Sequence, residues 1–258
     1  MKVSIITCCF NSKSTIKNSL DSVAGQSWQN IEHIIIDGKS TDGTLDIIQS
    51  YNNNKIKYTS ELDLGIYDAM NKGINLATGD IIGTLNSDDR LYHENVISEI
   101  VKIFKSDPEV MCLYGNVVFI NSNGNIVRNW ISEPFVTGLF EKSWTPAHPT
   151  FYCKRSVFEN FGVYKTDYYI AADVELMFRL LEINKLKSFY FNSILVEMLI
   201  GGRSTKNLMS TLIISREMLR VFQDNGRKLN FIKYIYHKVK KVSQFNLKYF
   251  LNFKFLYL

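Results

Sequence analysis

Three sets of carboxylates in this 258-residue chain have a setting suited to chemistry. Asp88 and Asp89 follow Ile81-Ile82-Gly83-Thr84-Leu85, a short apolar and β-branched run preceded by Gly79-Asp80. Such a run reads as a strand buried on both faces, and acids at its C-terminal end lie where open α/β sheets bind ligands. Side by side the two carboxylates repel, so they need either solvent or a hard divalent cation. An isolated Asp-Asp is as readily a solvated turn that caps the next helix. Asp37 closes a second run, Ile31 to Ile36, apolar after Glu32-His33, and short acids there commonly cap the following turn. Asp173 opens a stretch with Val174, Leu176, Met177, Leu180 and Leu181 at helical spacing. N-terminal capping is its simplest role, and a helix N-terminus is expected to hold its pKa low.

The elements that must position these acids alternate. Val3 to Thr7 is a strand, followed by a helix with Ile16, Leu20 and Val23 on one face and Ser14 as its N-cap. After the strand Ile31–Ile36 come a helix around Leu45, Ile47 and Ile48, a strand from Lys55 to Thr59 and a helix from Ile66 to Ala77. The strand ending at Asp88-Asp89 then leads into a helix from Glu94 to Lys105, stopped by Asp107-Pro108. Residues 1–108 therefore make a β-α repeat of the nucleotide-binding kind. Where a dinucleotide fold carries Gly-x-Gly-x-x-Gly, this chain has Cys8-Cys9-Phe10-Asn11-Ser12-Lys13, and no Gly-x-x-x-x-Gly-Lys-Ser/Thr occurs. Phosphate charge is thus expected to be met by a metal, and the Asp pair is placed to hold one.

Beyond Pro108 the pattern is mixed. Val110–Tyr114 and Val117–Ile120 read as two short strands, with a hairpin turn at Asn123-Gly124. Residues 129–146 read as irregular and mobile. A strand entrance at Ala147–Tyr152 and a helix from Ser156 to Phe161 precede the Asp173 helix. Phe189 to Ile200 is β-rich, and a helix from Asn207 to Phe222 is stopped by Asn225-Gly226. The predicted organisation is one α/β domain over residues 1–226, with halves at 1–108 and 109–226, and a separate tail at 227–258.

Charge divides the same way. Eight of the 30 Lys and Arg residues lie in 225–258, which holds no acid, leaving 22 against 25 acidic residues elsewhere. A body near −3 with a tail of +8 predicts contact with an anionic surface. Leu229, Ile232, Ile235 or Tyr236, Val239 and Val242 share a helical face there, and Phe245, Tyr249, Phe250, Phe253, Phe255 and Tyr257 add aromatic bulk. A membrane is favoured over nucleic acid, with packing of the tail on the body as the alternative. Cys8, Cys9, Cys112 and Cys153 show no metal or disulfide spacing, and no window of about 18 uncharged apolar residues occurs. A cytoplasmic protein, peripheral on the inner face of the cell membrane, is expected.

Several blocks together resemble family-2 glycosyltransferases of the GT-A fold: Val3-Ser4-Ile5-Ile6-Thr7 with Phe10-Asn11, Ile34-Ile35-Ile36-Asp37-Gly38 with Ser40-Thr41-Asp42-Gly43-Thr44, and Asp63-Leu64-Gly65-Ile66-Tyr67-Asp68-Ala69-Met70-Asn71-Lys72-Gly73. Ala77-Thr78-Gly79-Asp80 and Leu85-Asn86-Ser87-Asp88-Asp89 follow in the family's order. The resemblance implies a Rossmann-like, mostly parallel sheet flanked by helices, with a smaller mixed sheet on the acceptor side. It implies an inverting transferase that moves a sugar from a nucleotide-sugar donor to an acceptor hydroxyl, with Mg²⁺ or Mn²⁺ as cofactor.

On this resemblance the donor is bound by Thr7, Phe10, Asn11, Asp37, Asp63, Tyr67, Asn71, Lys72, Asn86, Ser87 and Asp88. Asp88 and Asp89 match the metal end of the family's Asp-x-Asp signature, although Asn86 replaces its first acid and removes one charge. Asp173 takes the position of the general base, before an apolar run ending in Arg179-Leu180. His148, Arg203 and Ser204 are candidate acceptor or phosphate contacts. The tail favours a lipid-linked saccharide acceptor of surface polysaccharide biosynthesis. The rival from another class is a nucleotide-sugar or polyanion-binding protein without catalysis.

Overall fold

The structure, a computed structural model, describes residues 1–51, 55–200 and 208–240. Arg203, Ser204 and residues 241–258 lie outside them. The strands β1 (Val3–Cys9), β2 (Ile31–Asp37), β3 (Ile56–Ser60) and β4 (Ile81–Thr84) run parallel in the order β3-β2-β1-β4. Helices α1 (Ile16–Ala24), α2 (Thr44–Ser50), α3 (Ile66–Leu76) and α4 (Val96–Ser106) cover both faces. The alternation of β1 shows why: Ile6 joins Tyr67, Met70 and Ile74 of α3, while Val3 and Ile5 join Ile97, Ile100 and Phe104 of α4. Such double coverage demands continuous apolar strands, as the sequence has.

The sheet continues without a break into the second half. After the short β5 (Arg90–Leu91) come β6 (Cys112–Ile120), β7 (Ile126–Trp130), β8 (Tyr152–Lys154) and β9 (Ser188–Leu199). β8 is antiparallel to β4 and joins it to β6; β6 pairs parallel with β9, and β9 antiparallel with β5. The β5–β9 pairing returns the chain from the far half to the acidic loop after β4. Helices α5 (Arg155–Phe161), α6 (Ala172–Phe178) and α7 (Leu208–Asp224) complete the named elements, and residues 231–240 are also helical.

Three expectations are corrected. The two strands predicted on either side of Gly115 are one, β6, with a register shift against β9 at that point. A Cβ on Gly115 would lie 2.7 Å from Leu195, so the glycine answers a close strand approach and does not end the strand. Ser14 does not cap α1; Thr15 stands at that position without a side-chain cap bond. Residues 129–146 are irregular, but Phe140 and Trp144 are buried in the main core against Phe135, Tyr114 and Phe178, so the segment is anchored. The helix expected from Asp173 through Leu181 is present, α-helical to Phe178 and π-helical over Arg179–Ile183.

The last described residues belong to the body. Tyr234 is buried in the main core with Leu229 and Ile235 packed against it, and Lys238 Nζ donates to Ser215 Oγ at 2.8 Å.

Candidate active site

The carboxyl ends of β1, β2 and β3 gather the first group of side chains. Asp37 is fully buried, and its carboxylate is occupied from within: it accepts from Ser40 N (3.1 Å), Ser40 Oγ (2.5 Å) and Ser60 Oγ (2.6 Å). The turn-capping role read from sequence is therefore present. Beside it, a Cβ on Gly38 would lie 2.7 Å from Asp63 Oδ2 and 3.4 Å from Phe10. Phe10, Gly38 and Asp63 thus form an open cradle whose aromatic wall is 62% exposed. Asn11, held at a positive φ of 49°, ties it to the next loop by accepting from Thr41 N at 2.9 Å. Thr7 is not part of this cradle. It is buried with its Oγ1 2.9 Å from His33 Nε2, and burial pushes the His33 pKa down to about 3.

Beyond β4 the two adjacent acids part. Asp88 faces solvent, whereas Asp89 is 1% exposed and accepts from the Asn86 amide at 2.8 Å. Asp89 Oδ1 is buried without a hydrogen bond. Burial, together with the charge of Asp88, raises the Asp89 pKa well above the carboxylate range. Ser87 bonds Ser12 at 2.9 Å, tying this loop to the end of β1. Among the described residues no three His, Cys, Asp or Glu side chains enclose a cation. The donor set nevertheless fits a hard divalent ion: Mg²⁺ commonly takes one or two carboxylates and completes its shell with substrate phosphates and water. Asp88, exposed at the carboxyl edge of the sheet, is placed to offer one such oxygen.

The third group forms where α3 meets α6. Asp173 Oδ1 accepts from Val174 N at 2.9 Å and lies 3.4 Å from Tyr67 Oη, while Oδ2 is 3.8 Å from His148 Nδ1. Burial raises the Asp173 pKa, with His148 opposing it. The low value expected from a helix N-terminus is thus reversed, because desolvation outweighs the dipole. Burial also lowers the His148 pKa, Asp173 opposing, so the imidazole is neutral at pH 7. Tyr67 stacks on Tyr164 at 5.8 Å and donates its hydroxyl to the Ile170 carbonyl.

Two expected donor contacts are engaged in holding the framework. The Asn71 side chain brackets the backbone of Tyr164, donating to its carbonyl (2.8 Å) and accepting from its N–H (3.0 Å). Lys72 binds Glu61 (2.9 Å), Asp68 (3.4 Å) and the Leu62 carbonyl (3.0 Å). Tyr164 was not singled out from the sequence, because its stacking on Tyr67 spans nearly a hundred residues. Arg179, part of the sequence pattern around Asp173, bonds Glu175 and the carbonyls of Phe161 and Val163, fixing the approach to Tyr164.

The sequence pattern of the family described as glycosyl transferase family 2 matches residues 4–166. A PGL/p-HBAD biosynthesis glycosyltransferase of Mycobacterium bovis is 28% identical over 220 residues, 84% of this chain and 82% of that protein. An uncharacterized glycosyltransferase of Mycobacterium tuberculosis is 33% identical over 178 residues, 69% of this chain and 68% of its own length. Among solved structures, S. aureus TarS in complex with UDP-GlcNAc aligns at a TM-score of 0.67 and 17% identity, over 86% of this chain and 66% of that one. A mannosyltransferase from Pyrobaculum calidifontis, in complex with GDP-Man and Mn²⁺, aligns at 0.65 and 16%, over 92% and 68%. Asp173 lies just beyond the matched span. From the β1–β4 frame with its acidic loop, and from this match, the chain belongs to glycosyl transferase family 2 and has the GT-A fold.

Proposed function

We propose that this glycosyltransferase works by single displacement with inversion, using a nucleotide sugar and a divalent cation. The observation that carries the reading is Asp173: one half-buried carboxylate with a raised pKa, oriented by Val174 N–H and Tyr67, on the acceptor side of the sheet edge. Asp173 takes the proton of the acceptor hydroxyl while that oxygen bonds to the anomeric carbon. The bond from that carbon to the phosphate oxygen breaks, and its electron pair leaves with the nucleoside diphosphate. A carboxylate whose pKa is moved up toward neutrality is a better base than an ordinary one. His148, neutral beside it, lines the acceptor approach. One base and one leaving-group site are enough for this step, and no second nucleophile is needed.

Phe10, Gly38 and Asp63 form the receptacle for the base and ribose, with Asp37 supporting it from below. Asp88 would hold Mg²⁺ or Mn²⁺, which when bound neutralises charge developing on the diphosphate. Asp89, turned inward onto Asn86, orients that residue. The complexes of TarS with UDP-GlcNAc and of the mannosyltransferase with GDP-Man and Mn²⁺ support a nucleotide-sugar donor and a metal.

The last described helix supports a lipid-linked saccharide acceptor in surface polysaccharide biosynthesis. Residues 231–240 expose Ile232, Tyr236 and Val239 (84%, 62% and 61%) at the spacing of one helical face. With the basic residues around it, this stripe suits an anionic membrane surface at the cytoplasmic side. No described helix is long and apolar enough to cross a membrane.

The test is a panel of UDP- and GDP-sugars incubated with the full chain and Mn²⁺, reading nucleotide release with and without saccharide acceptors. Metal-dependent release of one nucleotide, and an anomeric configuration opposite to the donor's in the product, are expected. Retention of configuration would overturn the single displacement. Binding of a nucleotide sugar with no release under any condition would favour a protein that binds without catalysis.

A further inference from the structure

α6 begins in a way that should not hold. Ala171 stands at its N-cap position with no side-chain cap, Ala172 follows, and the regular helix lasts seven residues before the π-turn. Short helices are marginal in water, and alanine is a poor N-cap. Asp173 sits two residues beyond the N-cap position, and its side chain accepts from Val174 N–H. The segment that leads into it is held from another element. Glu217, on α7, accepts hydrogen bonds from three successive backbone N–H groups, those of Tyr169 (2.6 Å), Ile170 (2.9 Å) and Ala171 (2.8 Å).

Neighbouring side chains of α7 grip the residues just before. Asp224 accepts from Tyr168 Oη at 2.7 Å, and Arg220 bonds the Asp167 carbonyl at 2.9 Å with its guanidinium over the Tyr168 ring. Residues 217, 220 and 224 share one helix face, and that face contacts residues 167–171. Arg220 and its partner Asp167 are largely exposed, and ion pairs of that kind contribute little. Glu217 differs because a carboxylate bonded to backbone N–H groups makes stronger, charge-assisted bonds, and these lie immediately before the base.

We propose that Glu217 is a positioning residue for Asp173, setting the place of the proton-accepting carboxylate from a helix that does not itself bear the base. This rests on the reading of Asp173 as the base. The Ile170 peptide is fixed at both ends, its N–H by Glu217 and its carbonyl by Tyr67, and Tyr67 also borders Asp173. Without Glu217 the segment 169–171 that leads into α6 loses three bonds, and Asp173 moves relative to Tyr67 and His148. A displacement near 1 Å at a reacting group costs on the order of 10²-fold in rate.

The experiment is a double-mutant cycle on the full chain, with the nucleotide sugar identified by the hydrolysis panel. Glu217→Ala should lower the transfer kcat by on the order of 10²-fold and leave the donor KM unchanged. Glu217→Gln, which keeps one acceptor oxygen, should lose less. In an Asp173→Asn background, Glu217→Ala should cost nothing further, since its effect passes through Asp173. Hydrogen exchange at Tyr169, Ile170 and Ala171 should speed up in Glu217→Ala. If Glu217→Ala fails to fold, Glu217→Gln takes its place in the cycle. Equal losses in both backgrounds, or no loss in kcat, overturn the positioning role. Wild-type transfer by Asp173→Asn alone, or no turnover of any donor by the wild type, would instead sink the reading beneath it.

Discussion

At the residue scale the acids are sorted by solvation. Asp173 carries a charge that burial penalises, so in the folded state it binds its proton more tightly than in the unfolded chain. Stability therefore falls as pH rises from the ordinary Asp value of about 3.9 to the raised folded value, and stays lower above it. Asp173→Asn removes that charge while keeping an oxygen for Val174 N–H. Transfer should fall by about 10²–10⁴-fold, while the Tm at pH 7.5 equals or exceeds that of wild type. Wild-type kcat/KM should decline on the acid side through a pKa above the usual Asp range. A variant that lost Tm and kept its rate would make Asp173 a structural cap. Asp88 and Asp89 should separate in the same way. Asp88→Asn is expected to lose orders of magnitude in turnover, as metal-ligand losses do. Asp89→Asn, whose parent carboxyl is buried and turned onto Asn86, should lose less. Full activity of Asp88→Asn in EDTA would remove the metal from the reaction.

At the element scale, β4 links the two halves of the sheet and delivers Asn86 to Asp89. A Cβ on Gly83 would lie 2.2 Å from the ring of Tyr152, which is buried on the neighbouring β8. Aromatic bulk there needs a glycine opposite it. Gly83→Ala should destabilise by about 1–3 kcal/mol, the usual cost of overpacking, visible as a lowered Tm. Because β4 carries the acidic loop, its donor KM should rise as well; an unchanged Tm would mean that Tyr152 has room to move. The helices α3 and α4 were legible from their apolar spacing, since one face of each lies on the sheet. The unity of β6 was not, because Gly115 reads as a breaker until its partner Leu195 is seen.

At the scale of the molecule, the last described helix has two faces with different tasks. Tyr234 and Lys238 hold it to the body, while Ile232, Tyr236 and Val239 point away. Each basic residue near an anionic leaflet adds about 1 kcal/mol, so membrane contact should be strong at low salt and weak at high salt. The triple variant Ile232→Glu, Tyr236→Glu, Val239→Glu should lose flotation with phosphatidylglycerol vesicles while donor hydrolysis is kept. Equal flotation of the variant and wild type would reject this face as the contact.

The sequence by itself determined the family, the β-α order of the first half and the placing of Asp37, Asp88 and Asp173 at element ends, because these follow from local periodicity and short motifs. The tertiary structure decided what each acid is able to do. Burial sets Asp89 inward and raises Asp173 against the helix dipole, and neither effect can be read from neighbouring residues along the chain. It also decided the partners. Tyr67 meets Asp173 across 106 positions and Glu217 meets Ala171 across 46, and such pairings are set by how α3, α6 and α7 pack.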